Sequence, residues 1–237
     1  MQILIGTSGF SYPAWRGGFY PEKMPTTKML AYYAERLAAV EINNTFYRMP
    51  TADVLSRWAA ETPPGFRFSL KSPRQITHDK RLADTTAAVE RLAEVAGALG
   101  DKLGPVLFQL PPFLRKDLPL LDAFLAALPA GLSAALEFRH SSWFTDDVTE
   151  CLRTRRAALC IAESDEMETP LQATADWGYL RLRRTDYDDA AIGRWAERLK
   201  AQAWTSAYVF FKHEDAGKGP AAANRLREIL AIGGPTA

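Results

Sequence analysis

The chain has 237 residues, with 29 lysines and arginines against 28 aspartates and glutamates, and is therefore close to electrically neutral. A net charge of +1 does not indicate a protein dedicated to nucleic acids or to membrane surfaces, so any charge preference must be local. The N-terminus enters a strand-like run without a basic segment or a long apolar stretch, which predicts a cytoplasmic protein with no membrane span.

Eight short apolar runs alternate with helical patterns along the chain. The predicted strands cover residues 3–7, 39–43, 67–71, 105–110, 134–139, 157–163, 178–183 and 207–212. A helical period follows each strand except the sixth, where residues 164–176 predict an irregular connection. No linker or internal repeat divides residues 1–237, so the pattern predicts one α/β domain, a (β/α)8 barrel of the TIM type. An open doubly wound sheet, which usually has fewer strands, is the alternative.

The second predicted strand has one apolar and one polar face. Val40 and Ile42 alternate with Glu41 and Asn43, and Tyr47 follows at the same parity as the polar pair. In a TIM barrel one parity faces the helices and the other faces the lumen, and active sites lie at the C-terminal ends of the strands. We therefore predict that the polar parity lines the barrel mouth. The same alternation adds Lys71, Gln109, Glu137, Arg139, Arg181 and Arg183 to this predicted set.

Carboxylates and cations together indicate acid/base chemistry on a charged ligand. Glu137 and Glu41 are the predicted acid/base residues, and His140, which follows Arg139 directly, is a further catalytic candidate. The predicted substrate-binding residues are Asn43, Tyr47, Lys71, Gln109, Arg139, Arg181, Arg183, Lys212 and His213.

A count of charges at the predicted mouth indicates an anionic ligand. Glu163 is expected to be the third carboxylate, opposite five cations: Lys71, Arg139, Arg181, Arg183 and Lys212. About two positive charges are then uncompensated, which a phosphate or carboxylate group would balance. The alternative is a closed network of ion pairs that serves the fold alone.

No cofactor is predicted, although a divalent metal ion is an open alternative. Glu41, Glu137, Glu163 and His213 could together form an oxygen-rich metal site. No HExxH or CxxC spacing accompanies them.

The first loop, residues 6–25, is long and rich in aromatic residues. Its aromatic side chains could line a substrate wall or plug the top of the barrel. Both interpretations remain open at the level of the sequence.

Five segments together resemble the YecE-like family of TIM-barrel proteins, a domain-of-unknown-function family. They are IGTSGFSYPAWRGGFYP, EINNTFYRMP, GPVLFQLPP, LEFRHSSW and YLRLRRTDY, in chain order. The resemblance implies the barrel fold and a polar mouth that includes Glu41, Asn43, Gln109, Glu137, Arg139 and His140. It implies no activity. The chain differs from many members in having Arg183 and Arg184 after the seventh strand and FKHED after the eighth.

Three classes of function follow from these observations. The favoured class is an enzyme that acts on an anionic small molecule. The second is a metal-dependent phosphodiesterase or nucleic-acid repair hydrolase, by analogy of fold. The third is a non-catalytic protein that binds a metabolite or a nucleic acid at the same mouth.

Overall fold

Eight parallel strands close into a barrel in the computed structural model, which describes residues 1–212 and 217–232. The strands are β1 (Gln2–Ser8), β2 (Ala39–Ile42), β3 (Arg67–Lys71), β4 (Leu103–Gln109), β5 (Ala134–Glu137), β6 (Ala158–Glu163), β7 (Trp177–Leu182) and β8 (Ser206–Phe211). Each strand pairs with the next, and β8 pairs with β1. This closure confirms the predicted barrel and excludes the open sheet. His213 lies outside the described residues.

Helices follow seven of the eight strands. They are α1 (Met29–Ala34), α2 (Ala52–Ala60), α3 (Thr86–Ala96), α4 (Leu118–Ala126), α5 (Asp146–Thr154), α6 (Asp189–Lys200) and α7 (Lys218–Ile229). Two of them begin at an aspartate whose side chain accepts a backbone N–H of the first turn: Asp117 before α4 and Asp188 before α6. Within the described ranges, no helix has the length and apolar character needed to cross a membrane.

The connection after β6 contains no helix, as predicted. It begins with a tight turn and then runs back along the barrel wall as an irregular segment. The Thr169 amide donates to the Ala162 carbonyl oxygen (2.9 Å), and the Thr174 hydroxyl accepts from the Leu159 amide (2.7 Å). These bonds fasten the segment to both halves of β6.

The barrel wall separates two apolar regions. The outer region lies between strands and helices and includes Val40, Phe68, Phe108, Leu136, Ile161 and Leu180. The inner region fills the lower lumen with Leu4, Ala39, Leu107, Ala135, Ala158, Cys160, Ala162, Tyr179 and Phe210. Small side chains on β5 and β6 leave room for the large rings of β7 and β8, so the lower lumen is a packed core. The polar lumen positions therefore lie at the upper end.

The aromatic side chains of the first loop belong to the packed core. Trp15 and Tyr20 are each 1% exposed, and their ring centroids lie 6.1 Å apart. The Tyr20 hydroxyl donates to the carbonyl oxygen of Phe10 (2.5 Å). Trp15 and Tyr20 pack in the outer apolar region between strands and helices.

Candidate functional site

Strand register brings polar side chains to one level of the upper lumen. Glu41 pairs with Ser8 on one side and with Ser69 on the other. Gln109 pairs with Glu137 in the same way. Because parallel strands all end at the same face of the barrel, these residues meet at its C-terminal mouth, as the alternation predicts.

Arg181 joins the two carboxylates of the mouth. Its Nε and Nη2 donate to Glu41 Oε1 (3.1 and 2.8 Å), and its Nη1 donates to Glu137 Oε2 (2.6 Å). The amide oxygens of Gln109 and Asn43 accept more weakly from Nη1 and Nη2 (3.3 and 3.5 Å). Arg181 is 2% exposed, and both carboxylates are 0% exposed. Its guanidinium is therefore a buried strut that is already fully engaged.

Two hydroxyl groups complete the hydrogen bonding of Glu41. Ser8 Oγ donates to Oε1 and the Tyr179 hydroxyl donates to Oε2, both at 2.7 Å. Burial, and then the Glu41 charge, hold the pKa of Tyr179 well above its usual value, so its hydroxyl remains a donor. Neither residue was among the predicted site residues.

Glu137 is surrounded by guanidinium groups. It accepts hydrogen bonds from Arg139 Nε and Arg181 Nη1, and Arg183 Nη2 lies 3.5 Å from its Oε1. Burial alone would raise the pKa of Glu137, but Arg181, Arg139 and Arg183 outweigh it and lower the pKa to about 2. A carboxylate that stays ionised at neutral pH is a weak proton acceptor, so this geometry suits Glu137 to orienting the arginines.

Arg139 and Arg183 lie above the strut and reach solvent. Their side chains are 23% and 15% exposed. Nε and Nη2 of Arg183 are buried and have no hydrogen-bond partner in the part of the chain that the structure describes. Burial lowers the pKa of Arg183, while Glu137 acts in the opposite direction. Two donors of this guanidinium thus lack an acceptor among the described residues.

Lys71 differs from the other cations of the mouth. It ends β3, and its Nζ lies 4.3 Å from the ring centroid of Phe46. Among the described residues no carboxylate oxygen lies within 4.0 Å of this nitrogen. Burial, followed by the Arg181 charge, lowers the pKa of Lys71 to about 8. A fraction of this lysine is therefore a neutral amine near physiological pH.

Replacing Lys71 by methionine is expected to stabilise the fold. A folded-state pKa of about 8, below the usual 10.5, means that the folded chain binds fewer protons than the unfolded chain between these pH values. The charged form thus destabilises the fold below pH 8, and in the wild type this penalty fades as the pH rises to 10.5. At pH 7 we expect Lys71→Met to gain about 1–2 kcal/mol in urea unfolding, whereas the exposed-site control Lys28→Met should change little. A loss of stability in Lys71→Met would contradict this assignment.

The other predicted site residues lie at the rim or beyond it. His140 Nδ1 accepts from the Ser142 amide (3.1 Å) and caps the short turn Ser141–Trp143. Tyr47 is 81% exposed and packs edge-on against Phe46. Lys212 immediately follows β8, and its amide donates to the Leu182 carbonyl oxygen (2.9 Å).

Glu163 does not join the mouth, and that prediction is wrong. Glu163 pairs with Leu182, whereas its neighbour Ala162 pairs with Arg181. Glu163 Oε2 accepts from the Tyr187 hydroxyl (2.7 Å) and from Trp195 Nε1 (2.9 Å), on the helix side of the wall. Because adjacent residues of a strand point to opposite faces, Glu163 cannot share a lumen site with Glu41 and Glu137.

This placement separates Glu163 from the other carboxylates of the metal site considered from the sequence, because Glu41 and Glu137 lie in the lumen and Glu163 lies outside it. Within residues 1–212 and 217–232, no group of three or more His, Cys, Asp or Glu side chains is arranged to hold a metal ion. The positive surplus of the mouth nevertheless persists. Glu41 and Glu137 face the four cations Lys71, Arg139, Arg181 and Arg183.

Residues 4–236 match the model of a family described as "Protein of unknown function DUF72". The chain is 32% identical to the UPF0759 protein YecE of Escherichia coli strain K12. The alignment is 261 positions long and covers 97% of this chain and 93% of YecE. It is 28% identical to the UPF0759 protein YunF of Bacillus subtilis strain 168 over 61% of this chain and 53% of YunF. The solved DUF72 family protein TM1631 of Thermotoga maritima MSB8 superposes with a TM-score of 0.85 at 24% identity, covering 98% of this chain and 100% of TM1631. These matches confirm the resemblance to the YecE-like family and agree with the barrel fold.

Proposed function

This chain belongs to the DUF72 family of proteins of unknown function, and we propose that it is an enzyme acting on an anionic small molecule at the mouth of its barrel. The anionic group is a phosphate or a carboxylate, and the chemistry is acid/base catalysis. The observation that carries the proposal is the guanidinium of Arg183, which has two buried nitrogens without hydrogen-bond partners among the described residues.

The unpaired donors of Arg183 favour an anion at this point. A buried donor without an acceptor destabilises a protein by about 1–3 kcal/mol, and more when it is charged. Glu137 satisfies Arg183 only weakly, because its Oε1 lies 3.5 Å from Arg183 Nη2, whereas Arg139 and Arg181 hydrogen-bond to its two oxygens. An incoming oxyanion would accept from the fork of Arg183 and from Arg139 beside it, in the planar geometry that guanidinium groups prefer.

Lys71 is the acid/base residue that fits this mouth best. With its pKa lowered to about 8, it can accept a proton at neutral pH and return it. Glu41 and Glu137 hold the arginines in place and balance part of the positive charge. This assignment gives the predicted acid/base role of Glu137 to the lysine, because the carboxylate stays ionised and fully paired.

Binding of inorganic phosphate tests the proposal. At constant ionic strength, phosphate should raise the free energy of unfolding of the wild type, by about 2.7 kcal/mol at a concentration 100-fold above the dissociation constant. Arg183→Met should lose most of this response. Arg184→Met is the matched control, because Arg184 adjoins Glu163 and Asp165 outside the lumen, and it should respond like the wild type. Equal responses of Arg183→Met and the wild type would refute the anion site, since screening by salt acts on both alike.

A further inference from the structure

We infer that Lys71 is a nucleophile that forms an imine with its substrate, which makes the substrate a carbonyl compound bearing a phosphate or carboxylate group. The inference rests on the proposed function, because the anionic group must be held by Arg139 and Arg183 for the carbonyl carbon to reach the amine.

The surroundings of Lys71 favour an amine over a permanent cation. Lysine becomes nucleophilic when it is desolvated or placed beside another positive charge, and both conditions hold here. The side chain is partly buried at the end of β3, so its amino group is partly desolvated. Arg181 and Arg139 are the positive charges within its electrostatic reach.

The nearby carboxylates do not restore the usual pKa of Lys71. Glu41 and Glu137 also lie within electrostatic reach of Lys71, but both are committed to arginine. Hence neither carboxylate pairs directly with the amino group and fixes it as an ammonium. Of the four mouth cations, Lys71 alone belongs to a residue type that deprotonates in proteins. The resulting pKa of about 8 leaves free amine available at neutral pH.

The position of Lys71 also suits a covalent role. Arg139 and Arg183 already offer guanidinium forks to an oxyanion, so a third anion-binding cation adds little there. An acid group held by these forks is fixed on one side of the mouth. A carbonyl carbon one or two bonds from that group can then be presented to the amine of Lys71, which acts by proximity and orientation.

Imine formation at Lys71 consumes one proton and releases one water molecule. The neutral Lys71 Nζ attacks the carbonyl carbon, and the C=O π electrons move to oxygen, which takes a proton to give a carbinolamine. The hydroxyl group then leaves as water after a second protonation, while nitrogen loses one of its protons. The net reaction joins one amine, one carbonyl compound and one proton from solvent, and it yields one iminium ion and one water. The iminium keeps the single positive charge of the ammonium form, so Glu41 and Glu137 tolerate it.

Reductive trapping tests the inference. The protein is incubated with dihydroxyacetone phosphate, with dihydroxyacetone or with pyruvate, and it is then treated with borohydride and mapped by mass spectrometry. We expect an adduct on Lys71 whose yield with the phosphate ester exceeds that with dihydroxyacetone by at least tenfold. Pyruvate in place of the phosphate ester distinguishes a carboxylate substrate from a phosphate substrate. Lys71→Arg, which retains the charge but not the nucleophile, should give no adduct at this position or nearby.

A second measurement covers the case in which Lys71→Arg fails to fold. In the folded wild type, acylation of Lys71 by a limiting amount of acetic anhydride should reach half its maximal rate near pH 8, well below the usual lysine value of 10.5. An adduct at Lys71 no more abundant than at Lys28 would overturn the inference. A labelling profile of Lys71 that matches that of Lys28 would also overturn it.

Failure of this inference can be distinguished from failure of the proposed function. If phosphate stabilises the wild type but not Arg183→Met and no adduct forms at Lys71, the anion site stands and the imine is refuted. If an adduct forms equally with dihydroxyacetone and its phosphate ester, the amine is nucleophilic but the anion-bearing substrate class is refuted.

Discussion

Replacing Arg181 by methionine is expected to lower the free energy of unfolding by about 3–5 kcal/mol. The change leaves Glu41 and Glu137, both wholly shielded from solvent, without the guanidinium that joins them. Burial lowers the pKa of Arg181, but Glu137 and Glu41 outweigh it and raise the pKa well above its usual value, so the strut is charged at all ordinary pH values. Removing its charge exposes the mutual repulsion of two carboxylates in a medium of low dielectric constant. Urea unfolding at pH 7 measures the loss.

The neighbouring arginine supplies the control for Arg181. Arg184→Met removes a partly exposed guanidinium three residues along the chain and should change the stability little. Combining Arg181→Met with Glu41→Gln should restore part of the loss, because the variant then buries one charge fewer. A loss below about 1 kcal/mol in Arg181→Met would contradict this prediction, because it would show that Glu41 and Glu137 do not depend on the Arg181 guanidinium.

Replacing Glu137 by glutamine is expected to destabilise the protein by about 3 kcal/mol at pH 7, since three guanidinium groups lose their shared counter-charge. The difference should depend on pH. The pKa of Glu137 is about 2 in the folded chain, below the usual 4.5, so its contribution is complete above pH 4.5 and is lost as the pH falls towards 2. The wild type and Glu137→Gln should therefore converge in stability across this window.

Urea unfolding at pH 7, 4 and 2.5 provides the measurement for Glu137. Glu197→Gln, on the exposed face of α6, is the control and should follow the wild type at each pH. If the difference in unfolding free energy between Glu137→Gln and the wild type stays constant from pH 7 to 2.5, the prediction is wrong. The arginines would then not lower the pKa of Glu137.

Alternation within strands was sufficient to predict most of the mouth. Glu41, Glu137 and Arg181 meet in the lumen because each shares the parity of its strand's inward face, which can be read from the sequence alone. The same rule could have found Tyr179, which lies two residues before Arg181 on β7. In the sequence, however, a tyrosine within an apolar strand resembles an ordinary core residue.

The position of Glu163 at the end of β6 predicts a lumen carboxylate, but the parity of the strand decides on which side of the wall it lies. Glu163 is the last residue of β6, so it lies at the same level of the barrel as the mouth. At this level, however, Ala162 is the residue of β6 that faces the lumen. A run of six buried residues has no apolar and polar alternation that would fix its inward face from sequence. Only the register with β7 determines which side the carboxylate takes.

Contacts made by loops were beyond the reach of the sequence. The ring of Phe46 lies under Lys71 because the short turn after β2 carries it there, and no periodic pattern specifies that turn. His140 was predicted to be catalytic from its place after β5, yet its Nδ1 is engaged by the Ser142 amide. Local hydrogen bonds of this kind compete with catalytic roles and are seen only in three dimensions.

The helix-free connection after β6 has a consequence for how the barrel wall is covered. An extended chain rises about 3.3 Å per residue and is narrower than a helix, so a short segment spans the wall but covers less of its width. Behind this segment β6 presents only small side chains to the lumen, from Ala158, Cys160 and Ala162. On its outer face the same strand buries Leu159 and Ile161 in the apolar core between strands and helices. The irregular segment contributes Leu171 to that core, so an extended chain takes over here the packing role that a helix has elsewhere in the barrel.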